Sequence, residues 1–212
     1  MLSRSLGAGA GRGALPEVGT MNQIDLRTRI DRVLYSEDVI SRRVRELAQE
    51  ISDDYRTRGH AADAKGRPLL MACILRGALV FMADLAREMT IPVEYDLISV
   101  SSYGNGTAPG AVRLVKDLER PIEGRDVLIV EDIIDTGYTI EYLRRNLESR
   151  DPASVRVCTL VDKAARREIK TQVDYIGFEL SEDAFVVGYG MDYAELYRNL
   201  PFIGVLKQEY IG

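Results

Sequence analysis

Apolar positions along the chain fall into two rhythms. Leu69 to Leu75, Val127 to Val130 and Val155 to Val161 are nearly continuous apolar runs, as expected of strands buried on both faces of a parallel sheet. Pro92 to Val100 reads as a further strand, with Val93, Tyr95, Leu97 and Ile98 as its apolar positions. Between these runs the period lengthens. Ile40, Val44, Leu47, Ala48, Ile51 and Tyr55 recur at helical spacing behind Ser36, an N-cap residue, with Glu37 and Asp38 in the first turn and Gly59 as the stop. Ala78 to Met89 and Tyr138 to Leu147 read as two more helices. Val112 to Leu118 and Asp126 to Val130 flank a Pro-Ile-Glu-Gly turn and are expected to pair with each other. Strands alternating with helices predict a doubly wound α/β domain with a mainly parallel sheet.

Composition narrows the class. At 212 residues, 46% apolar and 29% charged, the chain is long enough for one full core. A net charge of −5 argues against a general nucleic-acid surface. No apolar run approaches the roughly 18 residues of a membrane span. Cys73 and Cys158 both lie in strand-like apolar runs, which suits buried thiols in a reducing cytoplasm. The single histidine, His60, sits in a polar loop, so a zinc site is not expected. Residues 1–20 are dominated by Gly and Ala and carry no periodicity. They are expected to be a disordered or dispensable extension, or to precede a true start at Met21, leaving residues 21–212 as one domain.

The chemistry concentrates where the Val127 strand ends. Glu131, Asp132 and Asp135 place three carboxylates within five residues, and Thr136-Gly137 then leads into the helix from Tyr138. Free N–H groups and the positive end of a helix dipole at such a turn suit a phosphate. The preceding carboxylates would repel it unless they face something else. Sugar hydroxyls and Mg²⁺ both accept carboxylates, so a ribose phosphate with Mg²⁺ satisfies both halves. A second strand-turn-helix unit carries Arg76-Gly77 at its turn, again fit for an anion. Ser101 to Gly110 holds three glycines and a proline around Tyr103, a composition suited to a lid. Lys163 ends a strand on the rim where α/β sheets bind ligands, although spacing alone would leave it a solvated side chain. Phe185 is flat enough to stack on a base, although most aromatics in such runs are core.

Four blocks, in order, then carry a resemblance. Val130-Glu131-Asp132-Ile133-Ile134-Asp135-Thr136-Gly137 with Thr139, Leu75-Arg76-Gly77, Ser101-Ser102-Tyr103-Gly104, and Phe185-Val186-Val187-Gly188-Tyr189 with Asp192-Tyr193 and Arg198 resemble the bacterial-type hypoxanthine-guanine phosphoribosyltransferases. That family belongs to the type I phosphoribosyltransferases, and the likeness spans residues 33 to 206. It implies a hood of the N-terminal segment and C-terminal strands over a base site. It also implies a salvage enzyme joining a 6-oxopurine to 5-phosphoribosyl pyrophosphate (PRPP), with Mg²⁺ as cofactor and a homo-oligomer, dimer or tetramer, as the working form.

By the same resemblance, Glu131, Asp132, Asp135, Thr136, Gly137, Tyr138 and Thr139 hold the ribose phosphate, and Leu75, Arg76, Gly77 and Arg198 the pyrophosphate. An unusual, strained peptide is implied at the Leu75–Arg76 pair. Ser102 and Tyr103 close the lid. Ile133, Lys163, Phe185, Val186 and Asp192 surround the purine, with Lys163 on its 6-oxygen. Glu131, Asp132 and Asp192 serve the metal, and Asp135 is the catalytic base. Strand alternation places Glu131 and Asp132 on opposite sides. Hypoxanthine and guanine are equally admissible, and xanthine stays open. The rival reading is a PRPP-sensing RNA-binding regulator on the same scaffold. It calls for a basic face, which this acidic chain does not offer.

Overall fold

The computed structural model describes residues 25–59, 66–102 and 112–212. The expectations for residues 1–20, Met21, His60 and Tyr103, with the rest of the loop to 111, lie outside the described residues. The elements in order are β1 (Ile30–Tyr35), α1 (Glu37–Thr57), β2 (Leu69–Leu75), α2 (Leu79–Glu88), β3 (Val93–Ser102) and β4 (Val112–Lys116). They continue with β5 (Asp126–Ile134), α3 (Tyr138–Glu148), β6 (Ser154–Asp162), β7 (Tyr175–Glu179), β8 (Val186–Val187) and β9 (Ile203–Leu206).

Six strands form the central sheet in the order β4-β3-β2-β5-β6-β7. All neighbours pair parallel except the edge strand β4, which runs antiparallel to β3. Alternation along β2 shows why both faces must be apolar. Leu69, Met71 and Cys73 join the core under α1 and α2, while Leu70, Ala72 and Ile74 join the core under α3. The helical periodicity delivers Ile40, Leu47 and Ile51 of α1 fully buried into the first of these cores. Each such side chain contributes about 1.5–3 kcal/mol of burial. Ser36 occupies the cap position of α1 through its backbone carbonyl, which accepts from Ile40 at 3.0 Å, but its side chain makes no cap bond.

The expected pairing of 112–118 with 126–130 is corrected by the sheet. β5 is flanked by β2 and β6, so its hydrogen-bonding edges are both used, and β4 instead pairs with β3, with Ser102 opposite Val112. The chain between β4 and β5 passes two intervening strands, β3 and β2, rather than making a hairpin.

A second, three-stranded antiparallel sheet, β1-β9-β8, joins the N-terminal segment to the C-terminal strands and is called the hood below. Its own small core is Val187, Tyr197, Leu200 and Leu206. It is tied to the main domain by the Tyr189 hydroxyl, which donates to Asp84 on α2 at 2.6 Å.

Candidate active site

Because β2, β5 and β6 run parallel, their carboxyl ends meet on one edge of the sheet, and the segments that follow them build the site. Pairing between β2 and β5 stops at Cys73 opposite Val130. Glu131 and Asp132 lie just past that point, with no β2 partner beside them. Their carboxyls act on each other's ionisation across that alternation. Burial raises the pKa of both. For Glu131 the charge of Asp132 raises it further, while for Asp132 the bond to Glu131 and the Ile133 N–H, donating at 2.9 Å, partly offset the rise. Burial and the neighbouring carboxylate both disfavour charge at Glu131, a cost that a bound cation would relieve. Glu131 Oε2 is buried with no hydrogen-bond partner. Beneath the pair, the Cys73 thiol is pushed up to about 12, chiefly by burial and then by the two carboxylates, and so is chemically quiet.

Gly77 closes over Asp132. A Cβ at Gly77 would lie 1.9 Å from Asp132 Oδ2, so glycine alone permits this approach. The preceding Leu75–Arg76 peptide is cis, at the pair where the resemblance implies an unusual peptide. From the other side comes the hood. Gly190, at φ +100, presses its backbone so near that a Cβ there would sit 2.1 Å from the Gly77 carbonyl. Arg198 donates to the Gly190 carbonyl at 2.8 Å and pairs with Asp192 at 2.8 Å, and its charge also acts on Asp132. Arg76 and Arg198 both reach Glu195, at 2.7 and 3.3 Å. Two cations facing one carboxylate suit a polyanion.

At the end of β5, Gly137 takes the left-handed conformation, φ 92, as the N-cap of α3. Thr136 offers its carbonyl to the N–H groups of Glu168 and Ile169, at 3.0 and 3.1 Å, so the segment after β6 is laced onto this turn. The first-turn amides of α3, at Tyr138 and Thr139, have no intrahelical acceptor by construction, a geometry suited to an anion. The Tyr138 hydroxyl donates to Glu168 at 3.2 Å, outside that turn.

Asp135 lies between these two features. The Arg166 Nε is 3.2 Å from its Oδ1, without an aligned hydrogen bond. Lys163 feels the charge of Asp135 as well, although burial dominates and lowers the lysine pKa. Lys163 is only 5% exposed, and its ammonium donates to the Ala184 carbonyl at 2.6 Å. The solvated side chain suggested by spacing alone is therefore excluded. Phe185, next along, is 40% exposed, with its ring edge-to-face against Tyr193 at 5.3 Å. Val186 is buried in β8, and Ile133 packs partly buried against the main core.

Among the described residues no group of three or more His, Cys, Asp or Glu side chains could cage a metal. A Mg²⁺ ion shared with a substrate would need only one or two carboxylates, its shell completed by phosphate oxygens and water. The orphaned Glu131 Oε2 and the neighbouring Asp132 carboxyl are the donor set such an ion would meet. Sequence reasoning missed Arg166, Asp183, Glu195 and Gly190. Arg166 and Glu195 each lie three residues from a recognised residue, but only the fold turns them into the site.

Residues 34–194 match the family model of the phosphoribosyl transferase domain. The chain belongs to the phosphoribosyltransferases, and within them to the hypoxanthine-guanine branch. It is 48% identical over 178 residues to a hypoxanthine-guanine phosphoribosyltransferase of Mycobacterium avium, covering 84% of this chain and 86% of that one. The Bacillus subtilis enzyme of the same name is 47% identical over 179 residues, covering 84% and 94%. Among solved structures, the Trypanosoma cruzi hypoxanthine phosphoribosyltransferase in complex with the product IMP superposes with a TM-score of 0.80 at 39% identity, over 86% of this chain and 97% of that one. No helix among the described residues is long and apolar enough to cross a membrane.

Proposed function

We propose that this chain transfers the 5-phosphoribosyl group of PRPP to hypoxanthine or guanine, giving IMP or GMP and pyrophosphate, with Mg²⁺ as cofactor and the cytoplasm as its place of work. The observation that carries the reading is the Glu131–Asp132 pair, wedged under Gly77 with one oxygen orphaned and flanked by the Gly137 helix turn and by Arg76 and Arg198. Each part of PRPP finds a matching group. The 5′-phosphate takes the α3 N-terminus, the ribose hydroxyls take the acid pair, and the pyrophosphate takes the arginines by displacing Glu195.

When bound, Mg²⁺ neutralises the pyrophosphate and improves it as a leaving group. The acid pair stabilises positive charge developing on the ribose as the bond from C1 to the pyrophosphate oxygen breaks. The purine ring nitrogen forms the new bond to C1, and its proton passes to Asp135. Phe185 stacks on the base and Lys163 leaves the Ala184 carbonyl for the 6-oxygen, while Ile133 and the backbone at Val186 and Asp192 complete the pocket. The lid, Ser102 and Tyr103, excludes water. A homo-oligomer is supported by exposed apolar Leu79, Val80 and Tyr95 on α2 and β3. The test is product formation with PRPP, Mg²⁺ and each of hypoxanthine, guanine, xanthine and adenine. Absence of IMP and GMP, or a preference for adenine, would overturn the assignment.

A further inference from the structure

Tyr189 breaks a local rule at the point where the hood meets the main domain. Gly188, Tyr189 and Gly190 follow one another with φ of 101, 49 and 100, a left-handed run that a bulky residue seldom enters. The two glycines are obligatory. A Cβ would come within 2.0 Å of the Phe202 carbonyl oxygen at Gly188 and 2.1 Å of the Gly77 carbonyl oxygen at Gly190. Tyr189 has no such freedom, and a conformation of this kind persists only where its surroundings fix it. Two contacts do so. The ring, 7% exposed, joins the core under α1 and α2 together with Met191. The hydroxyl donates to Asp84 Oδ2 on α2 at 2.6 Å. Burial, then the hydrogen bond and charge of Asp84, push the Tyr189 pKa up, so the group stays a donor rather than a proton carrier.

This turn carries part of the site. Gly188 and Met191 close it with reciprocal backbone bonds at 3.0 and 3.1 Å. The Tyr189 and Gly190 N–H groups donate to the Leu200 and Arg198 carbonyls at 2.8 and 3.0 Å, and the Arg198 guanidinium returns to the Gly190 carbonyl at 2.8 Å. Arg198, and Asp192 paired to it at 2.8 Å, are thereby brought up to the Gly77 loop. The base side is anchored separately, since Val186 and Val187 of β8 pair with Val205 and Gly204 of β9. Beside the Tyr189–Asp84 bond lies an open cleft of about 600 Å³, lined by Ser41 and Val44 of α1, Val80 of α2, and Arg198 and Pro201. Close packing is therefore missing on that side of the turn, and a directional bond has to set how it sits against α2.

We propose that Tyr189 and Asp84 are positioning residues for the pyrophosphate half of the site: their hydrogen bond sets the Gly190 turn against Gly77 and so aims Arg198 and Asp192. The inference rests on the reading of Arg198 as a pyrophosphate contact. The ring supplies the docking, and the hydroxyl supplies the register. The purine half keeps its place through β9 whether or not the bond is made.

The test separates orientation from folding. Tyr189→Phe keeps the ring and loses only the hydroxyl, and Asp84 is 44% exposed, so water takes over its freed oxygen. The melting temperature should fall by only about 2–4 °C. KM for PRPP, and KM for pyrophosphate in the reverse reaction, should rise about three- to tenfold, while KM for hypoxanthine at saturating PRPP stays within twofold. Asp84→Asn retains an oxygen acceptor and should stay near the parent. Asp84→Ala should match Tyr189→Phe, with no further loss in the double variant. Unmoved PRPP and pyrophosphate constants in Tyr189→Phe, a rise shared equally by hypoxanthine, or additive loss in the double variant overturns the proposal. Arg198→Ala is the companion measurement: an unchanged KM for pyrophosphate in that variant removes the pyrophosphate reading itself. A rise there, with none in Tyr189→Phe, sinks the positioning role alone.

Discussion

Gly77→Ala adds one carbon at the most crowded point of the site. The new Cβ would stand 1.9 Å from Asp132 Oδ2 and 2.6 Å from its Cγ, where ordinary contact begins at 3.4 Å. Something must therefore give by about 1.5 Å, the difference between the contact found and the contact allowed. The loop cannot retreat freely, because the Gly190 backbone lies against the Gly77 carbonyl on the far side. Asp132 must rotate instead, losing the Ile133 N–H. Displacement of a ligand-holding group by 1 Å or more costs about 100-fold in kcat/KM. Overpacking costs about 1–3 kcal/mol of stability, or roughly 2–12 °C for a domain of this size. The assay is kcat/KM for PRPP at saturating base, with thermal melting alongside. Kinetics within twofold of the parent would refute the claim that Asp132 must lie against Gly77 to bind substrate.

Glu131→Gln should stabilise the fold while weakening PRPP binding. Because burial and Asp132 raise the Glu131 pKa, the folded chain ionises later than the unfolded one. Stability therefore falls as pH climbs from the ordinary glutamate range toward the raised value, and the loss persists above it. Removing the charge should raise the melting temperature by about 2–4 °C at pH 8, corresponding to about 1 kcal/mol, and leave it unchanged near pH 4. Equal or lower stability at pH 8 would contradict this. Lys163→Ala should cut use of 6-oxopurines by about 10- to 100-fold, matching the 1.5–3 kcal/mol of a charged hydrogen bond, with PRPP affinity nearly unchanged. A parallel fall in PRPP affinity would move Lys163 to the phosphate site. A chain begun at Met21 should match the full chain in melting temperature and turnover, and a clear loss in either would give residues 1–20 a structural role.

The local chemistry of this protein was legible in the linear chain because it lies on contiguous segments. Residues 131–139 carry strand, carboxylates, turn and helix start in one piece, and strand and helix periods are properties of neighbours in sequence. The apolar runs at 69–75 and 155–161 therefore predicted β2 and β6 to within a residue or so. The alternating helix pattern of residues 40–55 likewise matches the buried face of α1. β1 was not legible, since half of its residues are exposed, none is fully buried, and among the described residues it pairs only with the distant β9. The supposed hairpin around Pro121 failed for the complementary reason. Proximity along the chain suggests pairing, but the open edges of β5 were taken by β2 and β6, both stronger apolar runs from farther away. The fit of Gly77 against Asp132 depends on how the hood presses Gly190 inward. Arg166 reaches Asp135 only because β6 lies beside β5, and Glu195 reaches Arg76 across 119 residues. Composition and period are set by each residue's own side chain and its near neighbours; these contacts are set by which strands compete successfully for the centre of the sheet.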